Sequence, residues 1–508
     1  MNQSLFAAIG AHLPSDLQKP FIRTPDGGGY SYADMLRSTA QFAHALVELG
    51  VQPGDRVAVQ VDKSPEAIML YLATLRVGGV YLPLNSGYTA DELRYFLGDA
   101  QPTLFVCAPA FEAEARQLAG ECAVAQLATL GSHGEGSLMT RVDGQPGNFA
   151  DVPRSADDLA AILYTSGTTG RSKGAMISHG NLVSNARALV QAWQLSADDW
   201  LLHALPIFHI HGLFVACNSL LLAGGSMLFL EKFDAAEVLR LLPQVNLLMG
   251  VPTFYTRLLD QPELNHAAVA HMRLFVSGSA PLTAETHRAF RERTGQAILE
   301  RYGMTETGMN TSNPLDGERI AGTVGFPLPG VELRITDPGV AEPTVLPQGE
   351  PGMIEVRGPN VFQGYWRMPE KTAEELRADG YFMTGDIGFI DERGYVQIVG
   401  RSKDMIISGG YNVYPKELEQ IIDTLPGVAE SAVIGVPHPD FGEGVTAVVV
   451  ATPGAVVQEA EIVAGLDGRL ARYKQPKRVL VVDALPRNVM GKVQKNQLRD
   501  RFKDLYRS

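Results

Sequence analysis

The chain has 508 residues, of which 45% are hydrophobic and 19% are charged, so it is long enough for two or more domains with separate cores. Its formal net charge of −13 argues against nucleic acid as a main partner, because nucleic-acid-binding surfaces are strongly basic. The three cysteines, Cys107, Cys122 and Cys217, have no metal-ligand spacing and predict a cytoplasmic protein without disulfides. The sequence also predicts no signal peptide and no membrane span, since its most apolar stretch, near 212–230, is interrupted by Gly, Ser and Asn.

The first 300 residues alternate between strand-like and helix-like segments, which is typical of an α/β fold with parallel sheet. A helix is predicted from Ser64-Pro65 to about Arg76, because Ser is a good cap and Pro suits the first helical position. A second α/β series begins near Leu201, so two similar α/β halves are expected. The predicted strands are 57–61, 81–84, 104–107, 159–163, 247–249, 274–276 and 297–299.

From about Gly330 the sequence becomes rich in Pro and Gly and favours a small β-barrel or an antiparallel sheet. From Arg401 onward a compact α+β pattern is predicted, with helices near 415–424 and 459–472. The short charged stretch 401–404 predicts a boundary, which gives an N-terminal domain at 1–401 and a C-terminal domain at 402–508. The strands predicted in this half are 331–335, 353–356, 395–399, 431–434, 445–450 and 479–482.

The most informative segment is Tyr164–Gly174, YTSGTTGRSKG, which follows the apolar run 159–163. A buried strand that leads into a Gly/Ser/Thr loop ending in Lys indicates a polyphosphate site. Gly167 and Lys173 have the spacing of a Walker A loop, but the hydroxyl that would hold Mg²⁺ is replaced by Gly174. The metal ligand is therefore expected elsewhere in the chain.

Three other clusters carry groups suited to nucleotide chemistry. Glu306, in ERYGMTE, follows a predicted strand and is the candidate Mg²⁺ ligand, with a surface turn as the alternative. Asp386, in YFMTGD, could hold ribose hydroxyls or stand in a turn. Lys492, in PRNVMGK, would be a solvated lysine on residue type alone. His209 and His211 lack a third ligand at metal spacing, so a metal pair is disfavoured.

Taken together and in order, the motifs YTSGTTGRSKG, LPIFHIHG, ERYGMTE, YFMTGD, GRSKDMI and PRNVMGK resemble the adenylate-forming superfamily of acyl-CoA synthetases, peptide-synthetase adenylation domains and luciferases. The resemblance covers nearly the whole chain. It implies a large N-terminal region of two α/β subdomains and a β-barrel, with a small mobile α+β C-terminal domain. It also implies that a carboxylate attacks the α-phosphate of ATP, and that a thiol, here coenzyme A, then takes the acyl group and releases AMP.

The resemblance assigns roles residue by residue. It implies that Lys492 bridges the attacking carboxylate and the nucleotide, that Thr305 holds the α-phosphate, and that Glu306 holds Mg²⁺. Asp386 and Arg401 would bind the ribose, Lys403 would be the hinge, and Gly409 and Gly410 would border the pantetheine tunnel. The implied phosphate-binding residues are Thr165, Ser166, Gly167, Thr168, Thr169, Gly170 and Lys173. Those implied to line the adenine are Gly278, Ser279, Ala280, Pro281, Glu300, Arg301, Tyr302, Gly303 and Met304.

The acyl pocket is where members of this superfamily differ, and Arg301 is its most informative position. A buried guanidinium without a partner is costly, and the second carboxylate of a short diacid would satisfy it. The pattern ERYGMTE…MNTSNP is similar to that of malonyl-CoA synthetases, so malonate is the first expected substrate and methylmalonate the second. The other implied pocket residues are His209, Ile210, Leu213, Phe275, Ser277, Met309 and Asn310.

Several alternatives remain open at this point. Arg301 could instead pair with a protein acid such as Glu300 or Asp316. The chain could then be a synthetase for a short or medium-chain monocarboxylate, an enzyme that loads a carrier protein in trans, or a non-catalytic AMP-binding module. The presence of both Lys403 and Lys492 favours an enzyme. The expected partners are small molecules only, and the expected assembly is a monomer or a weak homo-oligomer.

Overall fold

A computed structural model of the chain describes residues 2–165, 172–338, 342–409, 411–467, 469–488 and 491–506. In chain order, the strands up to Ser178 are β1 (Pro20–Arg23), β2 (Gly29–Ser31), β3 (Arg56–Gln60), β4 (Val80–Pro83), β5 (Leu104–Cys107), β6 (Gln126–Thr129), β7 (Leu159–Thr165) and β8 (Lys173–Ser178). Those from Trp200 to Pro327 are β9 (Trp200–His203), β10 (Ser226–Phe229), β11 (Leu247–Gly250), β12 (Leu274–Ser277), β13 (Leu299–Met304), β14 (Gly308–Ser312) and β15 (Phe326–Pro327). The remaining strands are β16 (Glu332–Thr336), β17 (Gly352–Arg357), β18 (Phe382–Ile390), β19 (Val396–Arg401), β20 (Ile406–Ser408), β21 (Tyr411–Val413), β22 (Val428–His438), β23 (Gly442–Ala451) and β24 (Arg478–Val482).

The helices alternate with these strands as the sequence predicts. In the first half of the chain they are α1 (Leu5–Gly10), α2 (Tyr32–Glu48), α3 (Pro65–Arg76), α4 (Ala90–Ala100), α5 (Glu112–Glu121), α6 (Ser137–Val142), α7 (His179–Ala192), α8 (Ser219–Ala223) and α9 (Ala235–Leu241). In the second half they are α10 (Pro252–Leu259), α11 (His266–Val269), α12 (Ala284–Thr294), α13 (Pro369–Glu375), α14 (Pro415–Ile422), α15 (Glu459–Leu466) and α16 (Lys495–Phe502). Helix α3 begins as expected, since the Ser64 side chain accepts a hydrogen bond from the Ala67 N–H and Pro65 is the first helical residue.

Two large sheets confirm the two predicted α/β halves. The first has the order β6-β5-β3-β4-β7-β8, and its pairs are parallel except for β7 with β8. The second has the order β15-β14-β13-β12-β11-β9-β10-β1-β2 and is parallel from β13 to β1. Parallel strands need covered faces, and one continuous apolar core packs helices against both sheets.

The segment predicted to form a small β-barrel or an antiparallel sheet contains the four-stranded antiparallel sheet β16-β17-β18-β19. It contacts the second α/β part through β19, where Val396 exchanges backbone hydrogen bonds with Val324 and Gly325. Strand β19 ends at Arg401, a 3₁₀ turn follows at Ser402–Asp404, and the C-terminal strands β20 to β24 form a sheet of their own. This last part has separate apolar clusters, as an independent core requires.

Several predicted elements differ in extent from the observed ones. The helix predicted at 459–472 ends at Leu466, and the strand predicted at 297–299 instead runs from Leu299 to Met304. Strand β13 is longer because it pairs with β12 on one side and with β14 on the other, which no local signal reveals. The apolar stretch near 212–230 consists of a buried π-helix at His211–Asn218, then α8 and β10. In the described part of the chain, no helix has the length and apolarity needed to cross a bilayer.

Candidate active site

A large cavity lies where the second α/β sheet, the sheet β16 to β19 and the C-terminal part of the chain meet. Its volume is about 970 Å³. Such sheets bind ligands beyond the carboxyl ends of their strands, and β12 and β13 end here. The wall includes these residues predicted from the sequence: Ser279, Ala280, Pro281, Glu300, Arg301, Tyr302, Gly303, Asp386, Arg401, Lys403 and Lys492.

Arg301 lies on β13 beside the end of β12, where Ser277 stands opposite Glu300 in the parallel register. Gly278 leaves room for the guanidinium, since a Cβ atom at this position would lie 2.4 Å from Arg301 Cζ. Arg301 is only 3% exposed, and its Nε and Nη2 atoms have no hydrogen-bond partner among the described residues. Burial lowers the pKa of Arg301 to about 9, with Tyr255 opposing the change, so the group stays cationic at neutral pH.

Neither protein acid that could have neutralised Arg301 forms an ion pair with it among the described residues, although Glu300 Oε2 also lacks a hydrogen-bond partner there. Glu300 Oε1 accepts a hydrogen bond from the Leu282 N–H at 3.2 Å. Asp316 accepts one from Gln194 Nε2 at 2.9 Å. Neither contact supplies the two guanidinium nitrogens that lack partners, so the geometry disfavours a structural ion pair for Arg301. The positive charge faces the cavity and is available to an anion.

Other polar groups near this end of the sheet also lack partners within the described residues. They are Ser277 Oγ, His211 Nε2 and Asn310 Nδ2. Burial, followed by the charge of Arg301, lowers the pKa of His209 to about 4 and that of His211 well below its usual range, so both rings are neutral. Arg301 is therefore the charged group beside these two neutral rings.

The apolar residues predicted for the pocket are all buried, but they pack differently. Phe275 lies in an aromatic cluster, with its ring centroid 5.1 Å from Phe290 and 6.5 Å from Tyr255, as a core residue would. Met309 packs on the backbone of Gly303, where a Cβ atom would lie 2.5 Å from Met309 Cε. Ile210 and Leu213 are both 5% exposed or less and belong to the main apolar core.

Asp386 and Arg401 face each other across the antiparallel pair β18 and β19. Arg401 Nε lies 2.7 Å from Asp386 Oδ1, and the Tyr302 hydroxyl donates to Asp386 Oδ2 at 2.5 Å. Asp386 raises the pKa of Arg401, although burial opposes the increase. The sequence placed Asp386 in a turn or a ribose site, and the structure places it in a strand, with each carboxylate oxygen already held by one donor.

Lys492 reaches this cavity from the C-terminal part of the chain. Its loop turns at Gly491, which has φ of +75° and packs against Thr253 of α10. The side chain remains exposed to the open cavity, but the surrounding protein and the charge of Arg401 lower its pKa. Asp386, Asp404 and Glu306 oppose this change. Lys492 therefore lies close enough to Arg401, Asp386 and Glu306 to interact with their charges, and all three residues were predicted to bind the nucleotide or its Mg²⁺ ion.

Lys173 and Glu306 are joined by two residues that the sequence did not single out. Lys173 Nζ lies 3.0 Å from Glu375 Oε1 and 4.0 Å from the centre of the Tyr365 ring. The Tyr365 hydroxyl lies 2.6 Å from Glu375 Oε2 and 3.0 Å from Glu306 Oε1. Tyr365 and Glu375 lie outside the six motifs quoted above. A Glu at the end of a short polar helix also gives no sequence signal that distinguishes it from a surface acid.

Glu306 lies in the turn between β13 and β14, just past the strand end as predicted. Burial raises the pKa of this carboxyl, with Tyr365 and Lys173 among the groups that oppose the increase. A buried carboxylate whose side chain is held by one neutral hydroxyl fits the hard, oxygen-seeking Mg²⁺ ion. Thr305 shares this turn, and Met304 ends β13.

The remaining predicted residues are only partly placed. Thr165 ends β7, and its hydroxyl donates to the Lys173 carbonyl at 3.4 Å. Burial, then Arg401, lowers the pKa of Lys403 to about 8. Gly409 is not part of this cavity and donates its N–H to the Phe441 carbonyl at 2.9 Å. Residues outside the described ranges are Ser166, Gly167, Thr168, Thr169, Gly170 and Gly410.

Comparison with known proteins places this geometry in context. Residues 15–366 match the AMP-binding enzyme family, and residues 417–492 match the AMP-binding enzyme C-terminal domain. A feruloyl-CoA synthase from Amycolatopsis sp is 38% identical, with 94% of each chain covered. A malonate–CoA ligase from Arabidopsis thaliana is 34% identical, with 93% of this chain and 85% of the relative covered.

Among solved structures, ATP-bound MatB from Rhodopseudomonas palustris is 58% identical over the full length of both chains, with a TM-score of 0.97. The apo form of that protein has the same identity and coverage and a TM-score of 0.87. The two family matches together span most of the chain, in the order that the motifs predicted. The chain belongs to the AMP-binding enzyme family.

Proposed function

We propose that this chain is an AMP-forming acid–CoA ligase that activates malonate, with methylmalonate as its second substrate. Arg301 carries this proposal, because it is a buried cation at the end of the second sheet whose Nε and Nη2 atoms have no partner among the residues that the structure describes. A monocarboxylate would leave that charge uncompensated, whereas the second carboxylate of a short diacid meets it in a bidentate pair. Ser277 Oγ, which lacks a partner among the described residues, and neutral His209 would add hydrogen bonds to the same group.

The names of the relatives support the reaction class and agree with the substrate. By name, both relatives join an acid to coenzyme A, one of them ferulate and the other malonate. The feruloyl-CoA synthase has the higher identity of the two, so overall identity does not select the acid. The Arg301 guanidinium distinguishes the two acids, because the single carboxylate of ferulate must react with ATP and leaves none to pair with it.

For the nucleotide, we propose that Asp386 and Arg401 bind the ribose hydroxyls, while the cavity wall from Ser279 to Pro281 and from Glu300 to Met304 receives the adenine. Each Asp386 oxygen accepts one hydrogen bond within the protein and has a second lone pair for a hydroxyl. Lys173 and the loop that precedes it would hold the β- and γ-phosphates. These contacts fix the α-phosphate in reach of the acid, and such positioning contributes most of the catalysis of a displacement at phosphorus.

Glu306 is the residue that we propose to hold Mg²⁺. When bound, the ion neutralises negative charge on the triphosphate and on the pyrophosphate leaving group. The Tyr365 hydroxyl has a single proton and lies closer to Glu375 Oε2, at 2.6 Å, than to Glu306 Oε1, at 3.0 Å, so Glu306 keeps acceptor capacity for the ion. The neighbouring Thr305 hydroxyl would donate to the α-phosphate.

We propose that Lys492 neutralises the developing charge between the attacking carboxylate and the α-phosphate. Its loop contacts α10, and its charge interacts with Asp386 and Glu306 in this arrangement of the chain. The higher TM-score to the ATP-bound relative than to its apo form supports an adenylation arrangement. We further propose that residues 402–508 move as a domain about Lys403, and that this movement withdraws Lys492 and brings in Gly409 and Gly410 for coenzyme A.

The proposed enzyme needs only small-molecule partners, namely the dicarboxylate, ATP and coenzyme A. The three free cysteines support a reducing compartment, and we propose the cytoplasm.

The experiment that tests the function is pyrophosphate release across a panel of mono- and dicarboxylic acids, with and without coenzyme A. Malonate is expected to give the largest signal, and omission of coenzyme A should reduce the signal to about one equivalent per enzyme. If acetate or butyrate matched malonate, the dicarboxylate assignment would be wrong. A pyrophosphate signal that continued without coenzyme A would contradict the ligase assignment.

A further inference from the structure

Glu375 is held against Lys173 by a short segment that runs beside β8. The Met176 N–H donates to the Gly364 carbonyl at 2.9 Å, and the Trp366 N–H donates to the Gly174 carbonyl at 2.7 Å. This pairing puts Tyr365 beside Lys173, with the ammonium 4.0 Å from the ring centre. The phosphate-loop lysine is thus fixed by a backbone contact far away in sequence.

Helix α13 then directs Glu375 back to the same lysine. The Tyr365 N–H donates to Thr372 Oγ1 at 2.9 Å, which ties the helix to the paired segment. Gly364 has φ of +125°, and a Cβ there would lie 2.6 Å from Thr372 Cγ2, so this close turn requires glycine. Glu375 consequently places its two carboxylate oxygens 3.0 and 3.2 Å from Lys173 Nζ.

The carboxylate of Glu375 holds the same Lys173 ammonium that is proposed to bind phosphate. A lysine ammonium is a compact charge, and a carboxylate and a phosphate oxygen compete for it. Glu375 is also supported when the lysine is engaged elsewhere, because the Tyr365 hydroxyl lies 2.6 Å away and Lys371 Nζ 3.1 Å away. Tyr365, Lys173 and Lys371 together lower the pKa of the Glu375 carboxyl despite its burial, so it is a carboxylate at neutral pH.

We propose that Glu375 is a positioning residue, and that its carboxylate and pyrophosphate bind the Lys173 ammonium in turn. Glu375 holds the ammonium when no phosphate is present, the β- and γ-phosphates displace Glu375 when ATP binds, and Glu375 takes the lysine back as pyrophosphate leaves. The inference rests on the proposed function, in which pyrophosphate is the leaving group. It adds a residue whose charge weakens phosphate binding and so favours release.

The sign of the mutational effect separates this role from a structural one. Glu375→Gln removes the competing charge and the repulsion between carboxylate and phosphate, so pyrophosphate should bind more tightly. We expect a roughly tenfold decrease in Kd, equivalent to about 1.4 kcal/mol. The two side chains are 20% and 23% exposed, which places the pair between exposed and buried ion pairs in strength. A variant that only damaged the fold would bind pyrophosphate less tightly.

Titration calorimetry of the full chain with pyrophosphate, with and without Mg²⁺, measures this effect. Glu374→Gln is the matched control, because Glu374 precedes Glu375 in α13, is 63% exposed and pairs with Lys371. It should leave Kd within about twofold of the original protein. Glu375→Asp, which keeps the charge but shortens its reach, should give an intermediate Kd and serves if Glu375→Gln does not fold.

Equal Kd values for the Glu375 and Glu374 variants would overturn the inference. So would weaker binding in Glu375→Gln that appears only with Mg²⁺, because Glu375 would then be a metal ligand. The proposed function is judged separately by malonyl-CoA formation in the unmodified protein. If that protein makes malonyl-CoA and pyrophosphate binding does not respond to Glu375, only the inference about Glu375 fails.

Discussion

Replacement of Arg301 by methionine separates two effects of the buried charge, namely the lower stability of the unliganded protein and the binding of the second substrate carboxylate. Methionine has a similar length and no charge, so it fills most of the space beside Gly278 without the guanidinium. Two nitrogens of Arg301 have no partner within the described ranges of the chain, and an unsatisfied buried group costs about 1–3 kcal/mol. We therefore expect Arg301→Met to raise the free energy of unfolding by about 1–3 kcal/mol.

Catalysis should change in the opposite direction. Loss of one partner of a buried charged pair costs about 3–5 kcal/mol, which corresponds to a fall of roughly 10²–10³·⁵-fold in kcat/KM for malonate. Activity on butyrate should stay the same or rise, because its alkyl chain no longer meets an unpaired charge. The same substitution would then stabilise the protein and nearly abolish its reaction with malonate.

Two assays on one preparation provide the test. Urea unfolding measures stability without ligand, and pyrophosphate release at saturating ATP and coenzyme A measures kcat/KM for malonate and butyrate. Arg288→Ala, on the exposed face of α12, is the control and should change neither quantity appreciably. If Arg301→Met lowered stability and reduced the activity on both acids equally, Arg301 would be a structural residue and the substrate reasoning would be refuted.

Three further outcomes are expected. Lys492→Ala should lower malonate-dependent ATP–pyrophosphate exchange by at least about 10²-fold, while thioester formation from added malonyl-adenylate continues. Equal loss of both reactions would contradict the proposed role of Lys492. Asp386→Asn, which weakens the charge that holds Arg401, should raise the Kd of ATP by roughly tenfold, as measured by calorimetry. Burial raises the pKa of Glu300 from 4.5 to about 7, so the folded state binds this proton more tightly and stability from this group falls as pH rises from about 4.5 to 7. Glu300→Gln should therefore match the original protein in urea unfolding at pH 5 and exceed it by about 2–3 kcal/mol at pH 8, and an equal difference at both pH values would refute this cause.

Local signals predicted much of the architecture because capping residues, prolines and glycines mark where many of the helices and strands begin and end. Helix α3 starts at its Ser-Pro pair, and β5 has the predicted bounds 104–107. Strand β13 was predicted too short, because its pairing with β14 extends it through Met304 and depends on residues after the turn. The order of the strands in the sheet β16 to β19 likewise depends on long-range pairing that composition does not encode.

The candidate site shows the same limit. Local context made Lys173 and Glu306 candidates, whereas the role of Lys492 was predicted only from the resemblance to the superfamily. Glu375 had no such context, because its proximity to Lys173 spans 202 positions and arises from the pairing of residues 363–366 with β8. The missing partner of Arg301 could not be read from the sequence either, since Glu300 and Asp316 were equally available to it until their own donors were known.

Competition between two acids in one reaction tests the central claim most directly. Equimolar malonate and butyrate would be incubated with ATP, Mg²⁺, coenzyme A and the full chain, and the CoA thioesters quantified by mass spectrometry. A site built around a charged group rejects ligands that leave it unpaired, so malonyl-CoA should exceed butyryl-CoA by at least about 100-fold. Butyryl-CoA equal to or above malonyl-CoA would contradict the assignment of Arg301 as the group that selects the acid.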